Sequence, residues 1–276
     1  MEASIVDFAP RATETEVFEF SADATPRLEV RLDQGVVRVE RGETGRVVVR
    51  ANAPLGETVL GSTVKIERHG DTLMILPRKR AVGGESGSQA EIDLEVEFPA
   101  RGELDLRSHL GDFEVYDIDG EIDMRSDRGS LVLEGSSGTL LLQTGSGSID
   151  LIDLGQSVVR ATTDSGAVRY RGGSLTDGRY SFTTASGPIE IEHHREAHYT
   201  IVGRTLSGDV SNQVDGVISD DSRWGPVKHL HGEYGLDHQA ASTVQVISAS
   251  GDISLALSPQ PGDFAVAASD QPSEPE

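Results

Sequence analysis

A glycine-rich segment, TGSGS at residues 144–148, has the composition of a phosphate-binding loop. Such a loop cradles phosphate with its backbone N–H groups when it joins a strand to a helix and a Lys follows it. Here the segment precedes an apolar strand pattern, and no Lys follows it. We therefore interpret it as a structural turn.

Calcium-binding nonapeptide repeats offer a second reading of the glycines, because the half-repeat in this sequence is often nine residues long. Those repeats place an Asp two residues after a Gly, facing the ion. Here that position is apolar in every copy: Phe113, Leu131, Ile149, Val168, Ile189, Val210 and Ile253. A calcium roll is therefore not expected, although weak binding of divalent cations to the acidic surface stays open.

Histidines cluster at residues 192–198 and 228–238. His229 and His231 are two residues apart, so they point the same way if they lie on a strand. Together with His238 and a carboxylate from Glu233 or Asp237 they could bind zinc. We favour the alternative, a solvated glycine-rich insertion, and predict no metal and no cofactor.

The segment RWGPVKHLHGEY, residues 223–234, contains the one Trp of the chain, Trp224. An aromatic side chain beside Arg and His suits contact with a partner. Trp224, His229 and His231 are therefore the candidate partner-contact residues. The alternative that we favour is a loop aromatic that folds down to cap the last repeat.

Paired carboxylates, as a glycan-cleaving enzyme requires, would have to converge in one cleft. The densest acidic group is DIDGEID at 117–123, and its alternation with apolar residues makes it an outward row. The chain has no Cys, which excludes a thiolate nucleophile. No Ser/His/Asp order stands out, so we predict no catalytic residues and no enzyme activity.

The elements that carry these residues form a repeat. With one Gly taken as origin, apolar residues stand at −7, −5, +2 and +4, and a hydroxyl residue stands at −3. The frame weakens at Gly208, where Gly203 stands at −5 and Asn212 at +4. The origins are Gly111, Gly129, Gly147, Gly166, Gly187, Gly208 and Gly251, with an earlier copy at Gly35. From Gly111 to Gly208 their spacings are 18, 18, 19, 21 and 21 residues. Two short period-2 strands per unit bury a core only when units stack, so we predict an all-β fold, a β-solenoid or right-handed β-helix-like stack of strand pairs.

The −3 position lies on the inward face, yet it always carries a hydroxyl: Ser108, Ser126, Thr144, Thr163, Thr184, Thr205 and Ser248. A small hydroxyl at a buried corner can bond to backbone groups of the turn that are otherwise unpaired. We predict that these residues are structural turn residues and form a ladder along the stack. The origin glycines are expected to adopt a backbone conformation that side chains forbid.

The predicted organisation is a flexible N-terminus at residues 1–15 and a single solenoid domain at 16–257. The repeat frame lapses at 212–241, which we interpret as an insertion. The stretch 258–276 is Pro-rich and acidic, typical of a disordered tail.

The chain of 276 residues has a formal net charge of −22. This charge opposes binding to nucleic acid and to anionic membrane surfaces. No apolar run approaches the ~18 residues of a membrane span, and the N-terminus has no basic region with an apolar run behind it. We therefore expect no direct membrane insertion and a cytoplasmic location.

The stretches at 97–135, 183–191 and 242–255 resemble the bacterial and archaeal "putative adhesin" domain of unknown function, nicknamed toastrack. The segment LEVRLDQGVVRVERGETGRVVVRA, residues 28–51, is similar to the usual start of that family. The resemblance covers roughly residues 16–257. It implies a right-handed solenoid-like domain often attached to envelope or signalling proteins, and it brings no catalytic residues.

The function expected from these observations is a non-catalytic scaffold or protein-interaction module. A protein partner is possible on this reading, and the sequence leaves its identity and the oligomeric state open. A self-assembling structural solenoid is the alternative, and a carbohydrate-active enzyme is a weaker one.

Overall fold

The computed structural model describes residues 13–22, 25–54, 64–77, 91–173, 175, 177–221, 227–235 and 242–258. Regular structure within these ranges consists of strands only, so the predicted all-β solenoid is confirmed. In chain order the strands are β1 (Thr13–Ser21), β2 (Arg27–Arg41), β3 (Arg46–Pro54), β4 (Val64–His69), β5 (Thr72–Pro77), β6 (Asp93–Phe98), β7 (Arg101–Tyr116), β8 (Asp119–Ser126), β9 (Leu131–Glu134), β10 (Ser137–Thr144), β11 (Ile149–Ile152), β12 (Ser157–Thr163), β13 (Val168–Arg171), β14 (Arg179–Thr184), β15 (Ile189–His193), β16 (Tyr199–Thr205), β17 (Val210–Asn212), β18 (Val217–Asp221), β19 (Lys228–Tyr234), β20 (Ser242–Ser248) and β21 (Ile253–Leu257).

Each repeat forms one rung, which consists of a first strand, a corner at the origin glycine and a second strand. The first strands of successive rungs pair in parallel and form the first sheet; the second strands form the second sheet in the same way. The longer strands β2 and β7 run through their corner glycines, so each contributes to both sheets.

The core lies between the two sheets and is built by the alternation of the strands. In the rung of β10 and β11, the inward side chains Leu140, Leu142, Ile149 and Leu151 are at most 1% exposed. Burying each such side chain contributes about 1.5–3 kcal/mol. Because every rung adds the same four positions, the core continues along the whole stack.

The rungs do not stack in chain order at either end. In the first sheet the parallel order is β5, β2, β7, β8, β10, β12, β14, β20 and β16. The last rung of the chain, β20 and β21, therefore lies between two rungs that precede it in sequence. The first rung, β2, likewise lies between β5 and β7, which both follow it.

Antiparallel strands cover the outermost rungs, as exposed ladder ends require. At one end β4 pairs with β5, and β3 and β1 extend the second sheet beyond β6. At the other end β19 pairs with β16, and β18 pairs with β19. The described part of the predicted insertion at 212–241 is thus this two-stranded cover.

The cover explains why the frame weakens in the rung of Gly208. Gly203 occupies the −5 position there, and it lies opposite Leu230 of β19 in the register. A Cβ on Gly203 would lie 3.2 Å from the Cβ of Leu230, which is fully buried. Leu230 thus fills the space that an apolar −5 side chain fills in other rungs.

The ends of the predicted domain fall close to the ends of the described strands. Strand β1 begins at Thr13, and β21 ends at Leu257. Residues 1–12 and 259–276, which include nearly all of the predicted flexible N-terminus and acidic tail, lie outside the described residues. In the described part, no helical segment has the length and apolar character of a membrane span.

Candidate interaction surface

The −3 hydroxyls lie at the buried corners and bond in two directions. The Thr144 Oγ1 donates to the carbonyl oxygen of Gly129 in the preceding rung at 2.8 Å, and the N–H of Gly147 donates to Thr144 Oγ1 at 3.2 Å. Thr144 is 2% exposed, so both backbone groups are away from water. The hydroxyl therefore closes its own corner and joins it to the next one.

The same pair of bonds recurs along the stack. It is made by Ser126, Thr163, Thr184 and Thr205. Ser248 accepts from the N–H of Gly251 at 2.7 Å. Ser108, at the junction with β2, is half-buried and donates to the carbonyl of Asp33 over 3.4 Å. These hydroxyls are used between rungs and present no open site.

The expected reason for the origin glycines needs correction. Among those in the described repeats, only Gly35 has a positive φ, of 123°. The others are required by close approach: a Cβ on Gly147 would lie 1.8 Å from the carbonyl oxygen of Gly129. Glycine stands there because the backbone of the neighbouring rung fills the space of a side chain.

The predicted partner-contact residues separate into two groups. His229 and His231 lie on β19 and are both exposed, as their spacing predicts for a strand. They are opposite Arg204 and Val202 of β16 in the register. Trp224 and His238 lie outside the described residues. In the described ranges no three His, Asp or Glu side chains come together in a metal-binding group.

The structure assembles a buried polar cluster that the sequence reasoning missed. His193, at the end of β15, is fully buried, with Nδ1 at 2.8 Å from the carbonyl of His194. Since that carbonyl requires an N–H at Nδ1, Nε2 accepts from the Tyr199 hydroxyl at 2.7 Å. The Tyr234 ring of the cover packs against His193 and Tyr199. Both ring nitrogens of His193 thus have hydrogen-bond partners. The packing of Tyr234 on this cluster joins the last rungs to the cover.

Burial lowers the pKa of His193 below the ordinary value. The unfolded chain then binds more protons than the folded one below about pH 6.5, so stability is full above that pH and falls as pH decreases. Replacing His193 with Gln keeps an acceptor for Tyr199 and removes the titration. We expect the loss of unfolding free energy in urea between about pH 7.5 and about pH 5.5 to be smaller in this variant.

The control for this measurement is His229→Gln, which removes an exposed imidazole that is not among the groups acting on the pKa of His193. The control should retain the wild-type pH dependence. An equal dependence in wild type and His193→Gln would show that His193 does not contribute.

Outward residues on one half of the first sheet form a charged ladder. Arg31 Nη2 lies 2.7 Å from Asp105 Oδ2, and Arg107 Nε lies 3.0 Å from Asp105 Oδ1. On β8 the Arg125 Nε lies 2.8 Å from Asp123 Oδ1. Burial would raise the pKa of Asp105, but the hydrogen bonds and charges of Arg31 and Arg107 outweigh it and hold that pKa below the ordinary value.

A shallow concavity of about 240 Å³ lies on the outer side of the second sheet. It is lined by Arg38, Glu40, Arg50, Glu95, Val96 and Glu97. Arg38 binds Glu40, and Arg50 Nη2 lies 2.7 Å from Glu97 Oε1. Its arginines thus bind carboxylates of the same wall, and among the described residues no hydroxyl, imidazole or thiol lines it.

Comparison with known proteins gives one family and several distant structures. A "putative cell adhesion protein" from Clostridium sporogenes is 12% identical, with 90% of this chain and 100% of that chain covered and a TM-score of 0.39. A "putative adhesin" from Bacteroides fragilis is 9% identical over 88% of this chain and 98% of that one, with a TM-score of 0.43. A "putative lipid binding protein" from Parabacteroides distasonis is 17% identical over 87% and 96%, with a TM-score of 0.47.

No curated protein matches the chain significantly. The family model described as Toastrack DUF4097 matches residues 25–256, which is most of the chain and every strand except β1 and the last residue of β21. The resemblance seen in the repeats is thereby confirmed, and this chain belongs to the toastrack family, a domain family of unknown function.

Proposed function

We propose that this toastrack domain is a non-catalytic interaction module, a rigid body whose outer surface binds a protein partner. The observation that carries the proposal is the use of the repeated polar residues. The repeated hydroxyl residues are hydrogen-bonded to the corner glycines. Thr144, for example, bonds to Gly129 of the preceding rung and to Gly147 of its own corner. What these bonds leave for function is the outer surface of a stiff double sheet.

The charges of the concavity also support a non-catalytic role. A general acid–base pair must be free to reach a substrate. Here Glu40 and Glu97 each bind an arginine of the same wall. Both carboxylates are therefore engaged by the wall itself.

End-to-end self-assembly, the alternative from sequence, needs an open ladder at each end of the stack. The antiparallel strands β4 and β18 at the two ends of the first sheet speak against it. The net charge of −22 on each copy adds repulsion.

The test is capture of partners from an extract of the source cells with three forms of the domain. One form is the wild type, one carries charge changes on the first sheet (Arg160→Glu, Arg179→Glu, Arg204→Glu), and one on the second sheet (Glu134→Arg, Glu192→Arg). We expect at least one partner in stoichiometric amount, retained by one surface variant and lost from the other, with unfolding midpoints unchanged.

Two outcomes would count against the proposal. One is that the wild-type domain captures nothing beyond what its urea-unfolded form captures. The other is reproducible turnover of a polysaccharide or ester substrate in an activity screen, which would refute the non-catalytic part.

A further inference from the structure

One half of the outer face of the first sheet differs from the rest of this acidic protein. Five adjacent strands, β10, β12, β14, β20 and β16, present three rows of outward side chains there. We call this area the platform; its residues are Thr139, Leu141, Gln143, Val158, Arg160, Thr162, Arg179, Ser181, Thr183, Thr243, Gln245, Ile247, Thr200, Val202 and Arg204. None of these fifteen is an Asp or Glu, in a chain that has 46 of them.

The arginines of the platform have no counter-charge. Arg160, Arg179 and Arg204 are exposed, and within the described residues they form no ion pair and no side-chain hydrogen bond. Many outward arginines in the middle of strands elsewhere on the sheets are paired, as Arg107 is with Asp105 and Arg169 with Glu190. The platform is therefore a place where guanidinium groups lie on a sheet face without carboxylates.

Exposed apolar side chains accompany these arginines. Val158 is 50% exposed and Val202 is 59% exposed. The row of Val202 continues through His231 to Ile218 on β18, which is 58% exposed. Arginine and apolar residues without Asp or Glu are the composition of the buried centre of a protein–protein interface.

We propose that the platform is a docking surface for an acidic protein partner, whose carboxylates pair with Arg160, Arg179 and Arg204. This inference rests on the proposed interaction role and assigns it to one surface. Acidity follows from the three unpaired guanidinium groups, which favour carboxylates in bidentate geometry.

Other occupants fit the platform less well. A glycan surface normally offers aromatic rings for stacking, and the platform contains no Phe, Tyr or Trp. Two copies docked platform to platform would bring arginines against arginines, with no carboxylate of either platform to pair with them. Leu141, Val158 and Val202 suit the apolar side chains of a protein.

The size of the platform sets the expected affinity. Five strands spaced about 4.8 Å apart and three rows about 6.6 Å apart cover roughly 400 Å². A standard interface covers about 800 Å² on each partner. The contact is thus of the transient class, and an assay must resolve micromolar dissociation constants.

The experiment uses a fluorescein-labelled peptide of roughly 16 residues, four repeats of Glu-Thr-Glu-Val, in anisotropy titrations at about 0.15 M salt. At that salt concentration, acidic groups of the domain that lie more than about 8 Å from the bound peptide are largely screened from it. We expect the wild type to bind this peptide at least about tenfold more tightly than the same peptide with Gln in place of Glu. The Arg160→Glu, Arg179→Glu, Arg204→Glu variant should lose at least about tenfold in affinity.

The matched control changes net charge by the same amount elsewhere. Arg101, Arg128 and Arg195 are exposed and have no ion pair within the described residues, and they lie at a strand end or in turns. Their triple replacement by Glu should leave binding unchanged. If the platform variant does not fold, Arg160→Gln, Arg179→Gln, Arg204→Gln takes its place, with folding checked by circular dichroism.

Four results would overturn the inference: no binding of the Glu peptide to wild type, equal binding of the Gln peptide, equal loss in the control variant, or binding of polygalacturonate but not of the peptide.

Failure of the platform assignment can be distinguished from failure of the proposed interaction role. If the platform variant captures the same cellular partners as wild type, the platform is wrong and the interaction role stands. If the wild type captures none, the interaction role itself fails.

Discussion

Replacing Gly147 with Ala is expected to lower the unfolding free energy by about 3–4 kcal/mol. The new Cβ would lie 1.8 Å from the carbonyl oxygen of Gly129 and 2.8 Å from the backbone nitrogen of Ser130. Backbone atoms cannot rotate away, so the two rungs must separate. Urea denaturation followed by circular dichroism measures the change.

The matched control is Gly155→Ala in the same stack. Its Cβ would meet the side chain of Ser137 at 3.0 Å and no backbone atom closer than 3.9 Å. A cost of about 1 kcal/mol or less is expected, because a shift of a few tenths of an ångström relieves a contact of 3.0 Å. Equal costs at the two positions would show that close approach of the backbones does not explain the origin glycines.

Replacing Thr144 with Val is expected to cost about 2–4 kcal/mol, because it leaves two buried backbone groups without a partner at about 1–3 kcal/mol each. Val has the shape of Thr, so the packing is retained and only the hydroxyl is lost. The groups affected are the carbonyl of Gly129 and the N–H of Gly147. The measurement is again the urea midpoint at an unchanged m-value.

Thr144→Ser tests the hydroxyl apart from the methyl group, because it keeps the hydroxyl and removes the methyl. Ser already stands at this position in the preceding rung, where Ser126 makes both bonds at 2.8 Å. We expect Thr144→Ser to cost less than about 1 kcal/mol. Equal costs of Val, which keeps the methyl group, and Ser, which keeps the hydroxyl, would show that the hydrogen bonds of the hydroxyl do not dominate the stability of this corner.

Much of the fold could be predicted from the sequence because its information is local. Alternation decides which side chains face the core, and Leu140 and Ile149 are buried as that alternation requires. A hydroxyl three residues before a glycine can reach the N–H of that glycine inside one unit. These relations need no knowledge of which rung lies next to which.

The order of the rungs could not be predicted because all rungs have the same pattern of apolar, hydroxyl and glycine positions. By its residue pattern alone, strand β20 could lie on either side of β16. In the structure it lies between β14 and β16. The role of the origin glycines was missed for the same reason. The carbonyl that excludes a Cβ from Gly147 belongs to another rung.

The candidate surface was only partly accessible from the sequence. His229 and His231 were identified from their spacing, and the platform arginines were not. The signal was present in the repeat frame, since the outward positions of Arg160, Arg179 and Arg204 can be aligned with neighbours that lack Asp and Glu. It becomes visible only when β20 is inserted between β14 and β16, because that order makes the area without Asp and Glu continuous.

The insertion of the first and last rungs between others has a kinetic consequence. Strand β2 pairs with β7 across 76 residues, as Leu28 does with Leu104, and β14 pairs with β20 across 64, as Tyr180 does with Val244. A growing solenoid could fold as its rungs emerge one by one, but here β2 must wait for β7, and the space between β14 and β16 must stay open until β20 arrives. Folding should therefore be slow for a repeat protein. A force applied to either of these inserted rungs must also break the two ladders of hydrogen bonds on its two sides at once.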